Sequence, residues 1–361
     1  MDIAVKEEYL KRAAALHKEI PVVDAHLDLA GEILLRRQLL ERQIIKNHYL
    51  RNWHRAGIRL VVSSVYVPDQ ILQAGGTEAA WVDAQAQIQA LSEEINETEE
   101  IMAVRNGREL QQAIKGDRIG ILLYMEGLDC IGKDIGRLKT LYEKGVRGAS
   151  LTWSRQNALA TGCCKAGQRI QIPGGLTEEG KEAVREMERL HMFLDISHLN
   201  DDGFEDIKKT AKQPFCATHS CAKAVYENYR NLTDEQMTYL AKQGGVMGLN
   251  GCKYIAGSQK GNHLEMLCHH AEYEIAKIGA SHVGFGFDLC DSYEEARHAL
   301  QRKQAGCRQI EEEADKGDCF VNHSQILLLS AALLQRGMEE EKLSAVMGKS
   351  FIRYFETVLP S

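Results

Sequence analysis

Eight short apolar runs, most rich in β-branched residues and separated by longer stretches of helical pattern, constrain this chain more than any other feature. They are Ile20–Ala25, Ile58–Val67, Ile119–Met125, Val146–Thr152, Met192–Ser197, Pro214–Thr218, Gly245–Leu249 and His282–Phe287. Each has the length of a single strand, and most are continuously apolar, the pattern of strands covered on both faces. Between them lie segments with helical spacing, such as Glu178–Leu190, preceded by Leu176 and Thr177, and Leu264–Ile278. Strand and helix repeated eight times require parallel strands joined by crossover helices. Eight such units favour an α/β fold closed into a (β/α)8 TIM barrel over an open doubly wound sheet.

Composition agrees with that size of fold. The chain has 361 residues, 44% of them hydrophobic, enough for one large core. Only five prolines occur and no linker-like tract interrupts the pattern, so a single domain over residues 1–361 is expected. An amphipathic helix within MDIAVKEEYLKRAAALHKEI is expected to pack outside the barrel. After Asp288 the pattern predicts a charged helix, an exposed loop around Lys316–Cys319, and two helical segments ending near Val358 that flank the barrel. A net charge of −7 without a basic stripe argues against a nucleic-acid partner. No apolar run approaches the ~20 residues that span a bilayer, and the N-terminus lacks a signal-peptide core, so no membrane partner and a cytoplasmic location are expected. The ten cysteines show no Cys-x-x-Cys pair, and the neighbours Cys163 and Cys164 are too close for an unstrained bond. Free thiols in a reducing compartment follow.

The runs end on polar residues: His26 with Asp28, Tyr66, Glu126, Trp153, His198, His219, Asn250 and Asp288. In a barrel of this kind the C-terminal strand ends converge on one mouth, so these residues share a site. Singly, His-x-Asp reads as a turn, Glu126 as a salt bridge and each histidine as a satisfied core residue. Together they meet the needs of a two-cation cluster. Glu126 would bridge, with His26 and Asp28 on one ion and His198 and His219 on the other. Two ions about 3.5–4 Å apart can share a hydroxide and polarise a carbonyl. Nitrogen and oxygen ligands without thiolate favour zinc, with manganese, cobalt and iron left open. Asp288 is then free to act as general base and to return the proton to a leaving amine. His263, His269, His270, His17, His48 and His54 fall on or near helical stretches and read as packing or solvated residues. Gly284-Phe285-Gly286 lacks the third glycine of a dinucleotide loop.

The segments DAHLDL, YMEGLD, GVRGASLTWS, GGLTEEGKEAVREMERLHMFLDISHLND, ATHSCAKAVYENYRNL and VGFGFDLCD run in order along nearly the whole chain. They resemble the membrane dipeptidase (renal dipeptidase) family of zinc peptidases, within the amidohydrolase-like metal-dependent hydrolase barrels. The resemblance implies a dipeptidase cleaving L-Xaa-L-Xaa or L-Xaa-D-Xaa substrates with two zinc ions per chain. His26 and Asp28 would hold the first, His198 and His219 the second, with Glu126 shared and Asp288 as the catalytic aspartate. It also implies that Arg230, otherwise read as a surface residue beside a helix end, grips the substrate's terminal carboxylate, since a guanidinium pairs two-fold with that group. A homodimer is a further expectation from the family.

Two departures stand out. Trp153 occupies the place of a histidine that in the family helps hold the substrate carbonyl or the tetrahedral intermediate, and an indole donates one hydrogen bond but carries no charge. Asp129 follows Glu-Gly-Leu where Glu-Gly-Gly is usual. The secretory signal and lipid-anchor tail of the animal enzymes do not appear, so the chain resembles a soluble bacterial-type member. Two other readings stand beside this one. Another amidohydrolase acting on amides or lactones would more often carry His-x-His on its first strand and a lysine after its fourth. A metal-binding barrel without turnover is favoured by Trp153 alone and opposed by Asp288 and Arg230.

Overall fold

The computed structural model describes residues 2–164, 172–258, 260–305 and 317–361. Nine parallel strands form one sheet: β1 (Val22–Leu27), β2 (Ile58–Tyr66), β3 (Ile101–Val104), β4 (Ile119–Glu126), β5 (Gly148–Ser150), β6 (Phe193–Asp195), β7 (Ala217–Ser220), β8 (Met247–Leu249) and β9 (Val283–Phe285). Eight of them run in the order β6-β5-β4-β2-β1-β9-β8-β7, and a parallel bridge between Asp195 and Cys216 joins the two ends. The result is a nearly closed (β/α)8 barrel. The eight apolar runs of the sequence are its staves.

β3 is the addition. It pairs with the first half of β4, from Ile101 opposite Ile119 to Val104 opposite Leu122, while β5 pairs with the second half through Tyr124 and Met125. Ile101-Met-Ala-Val is too short to stand out beside the long helical stretch before it. β1 also extends further than its apolar run. His26 lies inside the strand beyond that run, and Asp24 within it has its carboxylate satisfied there. Asp24 accepts from the Phe287 amide at 2.9 Å and lies 2.8 Å from His323 Nε2, and the His26 carbonyl takes the Asp288 amide at 3.2 Å.

Helix starts follow the sequence chemistry. Thr177 caps the helix Glu178–Arg189 by accepting from the Gly180 amide, and Thr233 with Gln236 forms a reciprocal capping box on Asp234–Lys242. The N-terminal helix Glu7–Glu19 packs on the helix Ile326–Gln335, where buried His17 bonds the Ala56 carbonyl and Ser330. Three helices follow the first C-terminal loop, Ile326–Gln335, Glu340–Ser344 and Ser350–Val358, and the last does more than flank. Its Phe351 and Phe355 join Val23, Leu60, Leu122 and Phe193 in one apolar cluster, plugging the barrel at the end opposite the mouth.

The loop expected to be exposed near Lys316–Cys319 is not. Lys316 lies outside the described residues, but Asp318 and Cys319 are buried. Asp318 bridges to Cys252 and takes the Asp291 amide, and the Cys319 amide donates to the Gly251 carbonyl, so backbone pairing draws this segment onto the mouth. Among the described residues no helix is long and apolar enough to cross a membrane.

Gly284 and Gly286 serve packing. A Cβ on Gly284 would enter the Phe351 ring, and one on Gly286 would run into the Thr218 carbonyl. Backbone cannot yield as a side-chain tip can, so Gly286→Ala is expected to cost about 3 kcal/mol. A thermal melt checks this: a midpoint several degrees lower is expected, and an unchanged one would remove the argument.

Candidate metal centre

Each residue singled out at the run ends can now be placed. His26 is inside β1, and Asp28 lies one residue beyond it, at the start of the helix Leu29–Gln38. Glu126 ends β4, His219 is inside β7, and His198 sits in the turn after β6. Asp288 follows β9 by three residues. The barrel brings all six together.

Glu126 Oε1 lies 2.8 Å from His198 Nε2, 3.2 Å from His219 Nε2 and 3.5 Å from His26 Nε2. His26 Nε2 is also 3.8 Å from a carboxylate oxygen of Asp28 and of Asp288. Two triads, His26–Glu126–His219 and His26–Asp28–Asp288, each converge within 4.8 Å.

The proton positions in this cluster follow from its hydrogen bonds. Thr218 Oγ1 gives its single proton to Asp195 Oδ2 at 2.7 Å, so at 2.8 Å it must accept from His219 Nδ1–H. That tautomer leaves a lone pair on His219 Nε2. Arg230 Nη2 donates to His198 Nε2 at 3.2 Å, and a guanidinium cannot accept, so this nitrogen too is unprotonated. His198 Nδ1–H then donates to Ser154 Oγ at 3.0 Å. His26 Nε2 is buried with no hydrogen-bond partner. The Nε2 atoms of His198 and His219 therefore face each other as lone pairs at 2.9 Å, beside a carboxyl group. Such a set of inward acceptors, each imidazole steadied through its other nitrogen, is the arrangement that a cation satisfies.

Electrostatics carry the same message. Burial, helped by the Arg230 charge, lowers His26 to about 3, and burial holds His198 and His219 well below the usual histidine range. All three are neutral and ready to ligate. Burial, then the negative charge of Asp28, pushes Asp288 up to about 7. Glu126 is raised well above a normal carboxyl by burial and by Asp28 and Asp288, and Asp28 is raised mainly by burial. With Asp288 near 7 and Glu126 well above its ordinary range, these two carboxyls hold protons more readily when no cation is bound, and ligation must expel them. Adding zinc to chelator-treated protein in weak buffer near pH 6.5 is expected to release roughly one proton or more per chain. Apparent affinity should fall with acidification. Zinc uptake without proton release would contradict this.

The rim holds the remaining residues. Arg230 is buried, not a surface residue, and its guanidinium donates to the carbonyls of Ser197 and His219. Trp153 is half-buried, its ring 5.0 Å from Tyr66 and 5.8 Å from His198, with Arg155 5.3 Å away over its face. Arg155 pairs with Asp69 and with Asp129, so the departure at Asp129 has a charged partner in this chain. Asp288 has φ of +55°, a left-handed geometry that Asp tolerates, and its carboxylate accepts from Asn250 at 3.2 Å and Cys290 at 3.3 Å. The supports Asp195, Thr218, Ser154 and Ser64, the last donating to Asp28, were not singled out from sequence. Short polar side chains at run ends are too common to signal such a task.

Residues 10–304 match the family model described as membrane dipeptidase, peptidase family M19. Dipeptidase verJ of Clonostachys rogersoniana is 25% identical over 99% of this chain and 89% of its own length. Dipeptidase 3 of Mus musculus is 26% identical over 96% of this chain, which spans 66% of that protein. A metallo peptidase from Rhodobacter sphaeroides, solved with a phosphinate mimic of the dipeptide L-Ala-D-Ala, shares the fold. Its TM-score is 0.78 at 24% identity, over 94% of this chain and 99% of that one.

Proposed function

The chain belongs to the membrane dipeptidase family, peptidase family M19, the metal-dependent dipeptidases, and we propose that it hydrolyses L,L and L,D dipeptides at a two-zinc centre. The observation that carries the reading is the convergence of three imidazole Nε2 atoms on Glu126, with Asp28 and Asp288 beside them. In this reading His26 and Asp28 would hold one ion and His198 and His219 the other, with Glu126 available to both. The all-nitrogen-and-oxygen donor set suits zinc. When bound, the ions would supply an activated water and polarise the scissile carbonyl.

The chain's own residues do the rest. Asp288 takes the proton of the attacking water at its carboxylate and gives it to the leaving amine. Its elevated affinity for protons fits it for both halves of that transfer. Arg230 receives the substrate's terminal carboxylate, which limits the substrate to one residue beyond the cut bond. Trp153, between Tyr66 and His198, shapes the space beside the scissile bond and offers one N–H where the family has an imidazole. The dipeptide mimic carried by the Rhodobacter sphaeroides protein makes L-Ala-D-Ala a natural first substrate, beside L-Ala-L-Ala.

The test compares zinc-loaded protein on free dipeptides and on their C-terminal amides. Hydrolysis of the free dipeptides is expected, with kcat/KM roughly 10–100-fold lower for the amides, which offer the buried guanidinium no carboxylate as counter-charge. Equal rates would overturn the Arg230 role, and no turnover of any dipeptide would overturn the substrate class.

A further inference from the structure

Behind the mouth lies a second convergence of ligating side chains that the hydrolytic reading does not use. Cys221 directly follows β7, and His270 and Glu274 stand one helical turn apart on the helix His263–Ile278. All three are fully buried, and their ligand atoms lie within 4.8 Å of one another.

The bonding around Cys221 and Glu274 is incomplete, whereas His270 has a partner at each ring nitrogen. The Ala222 amide donates to His270 Nδ1 at 3.2 Å, so Nδ1 carries the ring's lone pair and an ion there would take the place of that amide; Nε2–H donates to the Ala256 carbonyl, also at 3.2 Å. A backbone carbonyl on the far ring nitrogen is the usual support of a metal-bound histidine. The Cys221 thiol makes one weak contact, 3.5 Å to the Asn250 carbonyl. Neither carboxyl oxygen of Glu274 has a hydrogen-bond partner. A buried carboxyl without a partner is costly and rare, and its burial pushes the group well above the ordinary range, which the nearby Ala222 amide only partly offsets.

We propose that Cys221, His270 and Glu274 form a further cation site, separate from the mouth centre, for a zinc-class divalent ion. Sulfur, nitrogen and oxygen donors together select a borderline ion over calcium or magnesium. A thiolate and a carboxylate neutralise the two charges of the ion, so the buried assembly carries no net charge. The thiol proton, and the proton held by Glu274, leave to solvent as the ion enters. No ligand is shared with the mouth.

Cobalt(II) loaded into the chelator-treated full chain tests this by absorption. Nitrogen and oxygen ligands at the mouth give visible bands only, whereas a thiolate ligand adds a near-ultraviolet charge-transfer band. The band is expected in the unaltered protein and in Cys290→Ser, whose thiol lies beside Asp288. Cys221→Ser should lose the band together with about one cobalt per chain. Glu274→Gln, a milder change if Cys221→Ser fails to fold, should raise the cobalt concentration that half-fills the band about tenfold or more. Full cobalt loading without a thiolate band, a band that survives Cys221→Ser, or a band that fills unchanged in Glu274→Gln would overturn the proposal.

Discussion

Asp288→Asn is expected to lower kcat by about 10²–10⁴-fold while the metal content stays at the unaltered level. Asparagine keeps the shape of the side chain and tolerates the left-handed backbone at this position, but it cannot take a proton from water. Asn250 and Cys290 donate to different oxygens of Asp288, so the asparagine oxygen keeps one of these bonds and its amide nitrogen faces the other donor. The variant also decides between two roles. Asp288 belongs to a convergent triad with His26 and Asp28 and could itself ligate. If Asp288→Asn loses an ion as well as turnover, it is a ligand and the base lies elsewhere.

Glu126→Gln is expected to abolish turnover, by at least about 10³-fold, through loss of the shared ligand and the cation charge it holds. Zinc content should fall with it. Stability of the metal-free protein should move the other way. Glu126 is buried, crowded by Asp28 and Asp288, and set against three neutral imidazoles. A glutamine amide offers two N–H donors to those lone pairs where a protonated carboxyl offers one, and it needs no proton to stay neutral. After chelation the variant is therefore expected to melt at or above the unaltered chain, as active sites give up stability for function. A variant that binds zinc normally would show that Glu126 is not a ligand.

The staves were legible because strands covered on both faces are largely apolar, although the helix Ile326–Gln335 carries a comparable apolar stretch. The same rule hid the end of β1, where His26 is polar yet internal; Asp24, within the run, is satisfied by Phe287 and His323 from the far end of the chain. It also hid β3, whose four residues are too few to show a period. At the mouth, the ligating types at strand ends could be read because barrel topology alone makes distant residues neighbours. What could not be read was support from long range. Arg230 looks like a surface residue until Ser197 and His219 supply its acceptors. Thr218 and Asp195 set the tautomer of His219 without any sequence mark. His270 resembled a packing residue, and only the fold sets it beside Cys221 and Glu274.

The central claim is that the cluster at the mouth works through bound metal on dipeptides. The most direct measurement follows zinc content and L-Ala-D-Ala hydrolysis together as chelator-treated protein is titrated with zinc. Hydrolysis is expected to be absent at the start and to rise with zinc until at least about two ions per chain are bound. Full hydrolysis by the metal-free protein, or zinc-loaded protein that leaves every dipeptide intact, would contradict the account.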